Sequence, residues 1–157
     1  LPPGPVRRSS AFIKKIMRIL AIDFGTKRIG LALSDPLGYT AQGLETLMRQ
    51  NKKQVIAFLM KLCKENGVGE VVIGLPINMN GSTGPKAQEI LDLVPELEKA
   101  LEVPVHTWDE RLTSREADRL MIEQDLSRQK QKQNSDRLAA TMILQGYLET
   151  KRRSRGV

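Results

Sequence analysis

Short apolar runs separated by turn residues open the chain and predict a β-hairpin. Residues 18–24 (RILAIDF) and 29–35 (IGLALSD) are both strand-like, and the four residues between them include Gly25. Two such runs joined by a short segment that contains glycine are typical of a hairpin. Residues 39–47 (YTAQGLETL) predict a third, weaker strand.

Helical spacing of apolar residues begins after Lys52 and alternates with two further strand-like runs. The apolar stripe of this first helix ends at Gly67, a residue that stops helices. A second helix opens at Gly84-Pro85, and Pro95 inside its pattern is expected to kink or split it. The runs that predict buried strands on either side of this helix are 70–75 (EVVIGL) and 103–108 (VPVHTW).

The last third of the chain predicts two helices around a basic loop. Thr113 begins a T-x-x-E capping box, which places a helix at about 114–125. The polar segment 126–135 (LSRQKQKQNS) is predicted to be a loop, and a last helix covers about 136–150. The element order β-β-β-α-β-α-β-α-α predicts an α/β fold, with helices on both faces of a mixed five-stranded sheet.

The length of 157 residues suits one domain, which we expect to cover residues 17–150. Residues 1–16 are rich in Pro, Ser and Arg and precede Met17, which we expect to be the natural start. We therefore interpret 1–16 as a disordered upstream extension or an added segment. Residues 151–157 form a basic tail that is expected to fray.

The composition excludes several classes of protein. No apolar stretch approaches the roughly 20 residues of a membrane-spanning helix. One cysteine, Cys63, and one histidine exclude an internal disulfide and a Cys/His zinc cluster, and they fit a cytoplasmic setting. The net charge of +7 and the pI of about 9.8 favour binding to nucleic acid. The alternative is that the basic surface binds no polyanion.

Three acidic residues stand where secondary structure does not require them. Asp23 ends the apolar run ILAI, Glu110 follows the strand VPVHTW, and Asp136 begins the predicted last helix. If the two strands are neighbours in the sheet, Asp23 and Glu110 emerge near the same edge. Converging carboxylates repel one another unless a cation neutralises them, and oxygen ligands favour Mg²⁺ or Mn²⁺. We therefore predict a catalytic metal site at these three residues.

Each acid also has a structural interpretation. Asp136 can complement the dipole of a helix N-terminus, and Glu110 can pair with Arg111 or Arg115 on the surface. Asp23 is hardest to explain in this way, because a carboxylate inside ILAIDFG has no capping role.

Two basic segments are candidates for phosphate binding. The turn after Asp23 offers backbone amides and two cations, and the basic segment near residue 130 carries charge without aromatic residues, which suits phosphate contact better than base readout. The alternative is solvated charge at a hairpin tip. The predicted phosphate-binding residues are Gly25, Thr26, Lys27, Arg28, Arg128, Lys130 and Lys132.

Four blocks of sequence together resemble one family. They read DFGTKRIGLALSDPLGYTAQGLETL, GLPINMNGSTGPKAQ, DERLTSREADRLM and SDRLAATMILQGYL. In this order and spacing they resemble the YqgF family, also called RuvX, from about Met17 to Leu148. The resemblance implies an RNase H-like fold and matches Asp23, Glu110 and Asp136 to the acids of the family. The related junction resolvases usually place a further acid at the end of the central strand, where this chain reads GLP.

The resemblance implies a metal-dependent nuclease that acts on the 5′ end of precursor 16S ribosomal RNA, or a Holliday junction resolvase. Structured RNA is the expected partner in preference to a DNA junction, with the protein a monomer or a homodimer. Two alternatives are a nucleic-acid-binding assembly factor without catalysis and an ATP-binding protein of the actin and sugar-kinase superfamily. The kinase alternative needs two copies of the fold, and this chain has room for one.

Overall fold

The structure, a computed structural model, describes residues 17–112 and 128–154, and in the second range it describes the side chains of 137–154. The strands are β1 (Arg18–Phe24), β2 (Arg28–Ser34), β3 (Ala41–Gly43), β4 (Leu47–Met48), β5 (Val68–Leu75) and β6 (Val105–Asp109). The helices are α1 (Lys52–Asn66), α2 (Pro85–Leu101) and α3 (Arg128–Ser154), and a 3₁₀ turn covers Glu110–Leu112.

The strands form one mixed sheet in the order β3-β2-β1-β5-β6, with the short β4 also paired to β2. The β1–β2 hairpin is antiparallel, whereas β1 pairs with β5 and β5 pairs with β6 in parallel. The prediction of a mixed α/β sheet that begins with a hairpin is therefore confirmed.

The weak third strand predicted over 39–47 is present as two short strands. Gly43 pairs with Ala32 and Leu47 pairs with Ile29, so the outer chain has one residue more than the stretch of β2 opposite it. An extra residue of this kind interrupts the ladder, because both strands cannot keep their register across it.

The two faces of the sheet carry different helices, as alternation along the strands requires. On one face, Leu20, Ile22 and Phe24 of β1 join the core that packs against α1 and α2. On the other face, Ile19 and Ala21 join a smaller core under α3. The residues of α3 buried in this smaller core are Ala140, Ile143, Leu144 and Leu148. Helices on both faces are therefore confirmed.

The second helix is continuous through Pro95. The structure therefore excludes the split that the sequence predicted as an alternative to a kink. Proline in a helix interior costs about 3 kcal/mol relative to alanine. Burial of a large apolar side chain contributes about 1.5–3 kcal/mol, and α2 buries Ile90, Leu93, Leu97 and Leu101 in the core. Packing along the whole helix therefore outweighs the local cost of the proline.

The last helix begins at Arg128, and the predicted loop was therefore wrong over 128–135. The segment is polar, but Arg, Lys and Gln are among the strongest helix formers, so polarity alone does not indicate a loop. The helix also continues through Ser154 into the predicted tail. The capping box at Thr113 and the helix predicted at about 114–125 lie outside the described residues.

A membrane-spanning helix is not found in the part of the chain that the structure describes, since none of its helices is both long and apolar enough to cross a bilayer.

Candidate active site

The two carboxyl groups of Asp23 and Glu110 meet above the sheet and are joined by a hydrogen bond. Asp23 lies on β1 opposite Gly30 of β2 and is partly buried. Glu110 is the first residue of the 3₁₀ turn that follows β6. The prediction that these acids emerge together assumed neighbouring strands, and this assumption was wrong because β5 lies between β1 and β6.

The environment of the pair keeps a proton on Glu110. Burial, the hydrogen bond to Asp23 and the negative charge of Asp23 raise the pKa of Glu110 to about 8. Lys86 opposes this rise, because a nearby positive charge favours the ionised carboxylate. The proton removes the repulsion between two close carboxylates, and a divalent cation can do the same.

The chemistry of this pair fits a hard divalent cation. Carboxylate oxygens are the ligands that Mg²⁺ and Mn²⁺ prefer, and the two acids already lie within hydrogen-bonding distance. Within the described residues no group of three His, Cys, Asp or Glu side chains could hold a metal ion. Of the three predicted ligands, the structure brings Asp23 and Glu110 together.

Asp136, the third predicted ligand, lies on α3, but its side chain is outside the described residues. Its position in the helix nevertheless separates two interpretations. Because α3 begins at Arg128, Asp136 is not in the first turn, where a carboxylate would complement the helix dipole. Asp136 precedes the buried Ala140 by four residues, and residues four apart lie on the same face of a helix. The helix-dipole interpretation of Asp136 is therefore not favoured, and its role as a metal ligand stays a prediction.

The alternative in which Glu110 pairs with Arg111 is not favoured by the structure. The guanidinium of Arg111 faces Asp109, with Nη2 2.7 Å from Oδ2. The side-chain hydrogen bond from Arg111 lowers the pKa of Asp109. Asp109 therefore supplies the carboxylate for this surface pair, while Glu110 turns towards Asp23. Arg115 lies outside the described residues.

The turn between β1 and β2 carries an exposed cation, Lys27. The side chain of Lys27 is exposed, whereas the amide of Gly25 already donates to the carbonyl of Arg28 at 3.0 Å. A Cβ at position 25 would lie 2.4 Å from that same carbonyl oxygen. Gly25 is therefore needed for the shape of the turn, and its amide is not available to a phosphate. Thr26 is exposed at the tip and Arg28 is half-buried.

The basic residues predicted to bind phosphate near position 130 lie in the first two turns of α3. Arg128, Lys130 and Lys132 are helical, but their side chains are outside the described residues.

Comparison with known proteins assigns the chain to a family. Residues 17–150 match the family described as "RuvX: Holliday junction resolvase". The chain belongs to the RuvX family. A relative from Syntrophomonas wolfei is 50% identical over 85% of this chain and 94% of its own length, and one from Moorella thermoacetica is 52% identical over 85% and 95%. Both are named "Putative pre-16S rRNA nuclease".

Solved structures with the same fold include two junction resolvases. The T. thermophilus RuvC in complex with a Holliday junction substrate has a TM-score of 0.56 at 15% identity, covering 88% of this chain and 97% of that one. The fowlpox virus resolvase bound to junction DNA has a TM-score of 0.55 at 13% identity, covering 86% and 99%. The RNase H-like fold and the nuclease class expected for a RuvX member are confirmed.

Three residues near Asp23 and Glu110 were not predicted from the sequence as part of the site. Lys86, in the first turn of α2, is close enough to act on the charge of Glu110. Arg49 lies over the ring of Phe24 at 4.4 Å and donates to the carbonyl of Gly25 at 3.2 Å, so it holds the hairpin turn. Gly74 of β5 lies beneath Glu110. For Lys86 the signal was the block GSTGPK, which ends at the start of a helix beside the sheet edge.

Proposed function

We propose that this RuvX-family chain is a metal-dependent nuclease that hydrolyses phosphodiester bonds at the 5′ end of precursor 16S ribosomal RNA. The single observation that carries the proposal is the Asp23–Glu110 carboxyl pair, which is joined by a hydrogen bond above the sheet. The names of the two bacterial relatives support the RNA substrate. Processing of ribosomal RNA would place the protein in the cytoplasm.

Different residues of this chain would bind the metal and the substrate in the proposed reaction. Asp23 and Glu110 would hold one or two Mg²⁺ or Mn²⁺ ions, with Asp136 as the third ligand. When bound, such an ion activates water and stabilises the leaving oxygen. Lys27 and Arg28 would bind the phosphates beside the cleaved bond, because they follow Asp23 in the hairpin turn and at the start of β2. Arg128, Lys130 and Lys132 would extend this basic surface along the substrate.

A DNA junction is the second candidate substrate. The description of the matching family favours it. A junction resolvase cuts two strands, so this candidate requires two copies of the site and therefore a homodimer. The RNA proposal is compatible with a monomer.

Cleavage assays with a matched pair of variants test the proposal. Purified chain is incubated with precursor 16S RNA or a four-way DNA junction, with Mg²⁺, Mn²⁺ or EDTA. Asp23→Asn should lose at least 100-fold in rate, since a lost metal ligand removes transition-state stabilisation. Asp92→Asn makes the same chemical change at an exposed position of α2, where Asp92 accepts a hydrogen bond from Gln88, and should cut like the wild type.

Either of two results would contradict the nuclease proposal. One is cutting that persists in EDTA, and the other is an Asp23→Asn variant that is folded and as active as the wild type. Binding of RNA without cutting by the wild type would favour the assembly-factor alternative. Preference for the junction, together with a dimer in sedimentation, would favour the resolvase.

A further inference from the structure

The carboxyl group of Glu110 reaches Asp23 across an intervening strand. Asp23 lies on β1 and Glu110 follows β6, while β5 separates these two strands in the sheet. Neighbouring strands are about 4.8 Å apart, so the backbones that carry the two acids are about 10 Å apart. A side chain on β5 that pointed to this face would stand directly between the two carboxyl groups.

The residue of β5 at this point is Gly74. It pairs in register with Trp108 of β6, and the neighbouring Ile73 pairs with Ile22 of β1. Alternation places Gly74 on the face of Val72, which belongs to the core under α3. Asp23 shares this face, since the core residue Ala21 precedes it by two positions.

The volume that a side chain at position 74 would need is occupied by Glu110. A Cβ built on Gly74 would lie 2.5 Å from Oε1 of Glu110 and 3.0 Å from its Cγ. It would also lie 2.8 Å from Cδ1 of Ile143, which packs down from α3. Separations below 3.0 Å do not occur between a real Cβ and its neighbours, so one of these groups would have to move.

The backbone does not explain a glycine here. Gly74 is not among the glycines with positive φ, which in the described residues are Gly38, Gly67 and Gly81. Any amino acid could adopt the conformation of a central strand, and glycine weakens a strand interior. The requirement for glycine at position 74 is therefore one of space above the sheet.

We propose that Gly74 is a positioning residue of the metal site. Because Gly74 has no side chain, the space above β5 is open and Glu110 can reach Asp23. This inference rests on the proposed function. The absence of a side chain at Gly74 lets the carboxylate of Glu110, which follows the edge strand β6, lie above β5. The same gap admits Ile143, so the position also has a packing role that the test must separate from the first.

Three variants separate positioning from packing. Gly74→Ala adds the methyl group, Ile143→Val removes the Cδ1 atom that the methyl would meet, and the double variant combines them. Urea denaturation measures stability, calorimetric titration with Mn²⁺ measures metal affinity, and the RNA cleavage assay measures activity. Ile143→Val alone should bind Mn²⁺ like the wild type, because the shorter valine side chain would still cover the site and leave Glu110 in place.

Gly74→Ala should fold, lose stability and bind Mn²⁺ at least 10-fold more weakly, the scale of effect seen when the support of a metal ligand is removed. The double variant should regain stability without regaining Mn²⁺ affinity, because Glu110 remains displaced. Recovery of affinity and cleavage together with stability would overturn the proposal and leave only a packing role. If the wild type cuts RNA in a metal-dependent way and Gly74→Ala binds Mn²⁺ equally well, the positioning inference fails while the nuclease proposal stands. If the wild type binds no Mn²⁺, both fail.

Discussion

Glu110 shows how the fold changes the charge state of a single carboxyl group. In water its carboxyl group would be ionised at neutral pH, but burial beside Asp23 raises its pKa to about 8. In the folded chain a proton on Glu110 therefore removes the repulsion between the two carboxylates, as a bound cation would also do. The free energy that keeps this proton bound makes the stability of the metal-free protein depend on pH.

The melting temperature of the metal-free protein should fall as the pH rises from about 5 to about 8. The pKa of Glu110 is 4.5 as a model value and about 8 in the fold. A raised pKa in the folded state gives stability that is complete below the unfolded pKa and lost as the pH rises through the folded pKa. Differential scanning fluorimetry in EDTA measures this slope.

Two variants identify the source of this slope. Glu110→Gln carries no titrating proton and should flatten the dependence, whereas Glu149→Gln, at an exposed position of α3, should keep it. An unchanged slope in Glu110→Gln would contradict the assignment. Added Mn²⁺ should stabilise the wild type more at pH 8 than at pH 5, since metal and proton compete for the same oxygens.

At the scale of elements, packing carries α2 through a residue that local rules place at a break. In α2 the apolar stripe on the core carries the helix through Pro95, whose side chain is exposed. The proline therefore lowers stability without supplying a contact that the core needs.

Pro95→Ala should raise the free energy of unfolding by about 1–3 kcal/mol, because it restores a backbone donor within α2 and removes the clash of the ring with the preceding turn. Urea denaturation measures the change. Pro85→Ala is the matched control: Pro85 is at the start of α2, where a missing N–H is tolerated, and its replacement should change stability by less than about 0.5 kcal/mol. Equal effects at the two positions would contradict this account.

At the scale of the whole molecule, α3 ties the hairpin side of the sheet to its parallel side. Its buried residues pack against β1 and β2. Near its end, the hydroxyl of Tyr147 and the ammonium of Lys151 both bind Glu70 of β5. Burial and the bond to Glu70 raise the pKa of Tyr147, so its hydroxyl keeps the proton that it donates.

Tyr147→Phe should destabilise the fold by about 1.5–3 kcal/mol, the usual cost of losing a hydrogen bond to a charged group. The ring would stay in place against Trp108 while the bond to Glu70 is lost. Urea denaturation measures the difference. Tyr39→Phe removes the same hydroxyl from a side chain that is 63% exposed and should be neutral. Equal stability of Tyr147→Phe and the wild type would show that the bond contributes nothing.

The sequence predicted most of this architecture because hydrophobic periodicity reflects burial directly. The hairpin, the buried strand before α2 and the stripe of α1 follow from it. The start of α3 was missed because the polarity of Arg, Lys and Gln was taken to indicate a loop, although all three residues favour a helix. Asp23 and Glu110 were found because each carboxylate ends a strand pattern, but their contact across β5 depends on strand order. The space above Gly74 depends on how β5, the turn that carries Glu110 and α3 pack together, and no local sequence pattern predicts this packing.

The distance between Asp23 and Glu110 along the chain also has a consequence for the order of synthesis. A growing polypeptide that has completed β1 and β5 carries Asp23 alone, because Glu110 is added only after β6. Parallel pairing further requires that the crossover through α2 be complete before β6 can join β5. The nascent protein therefore lacks the paired carboxylates until most of its length has been translated.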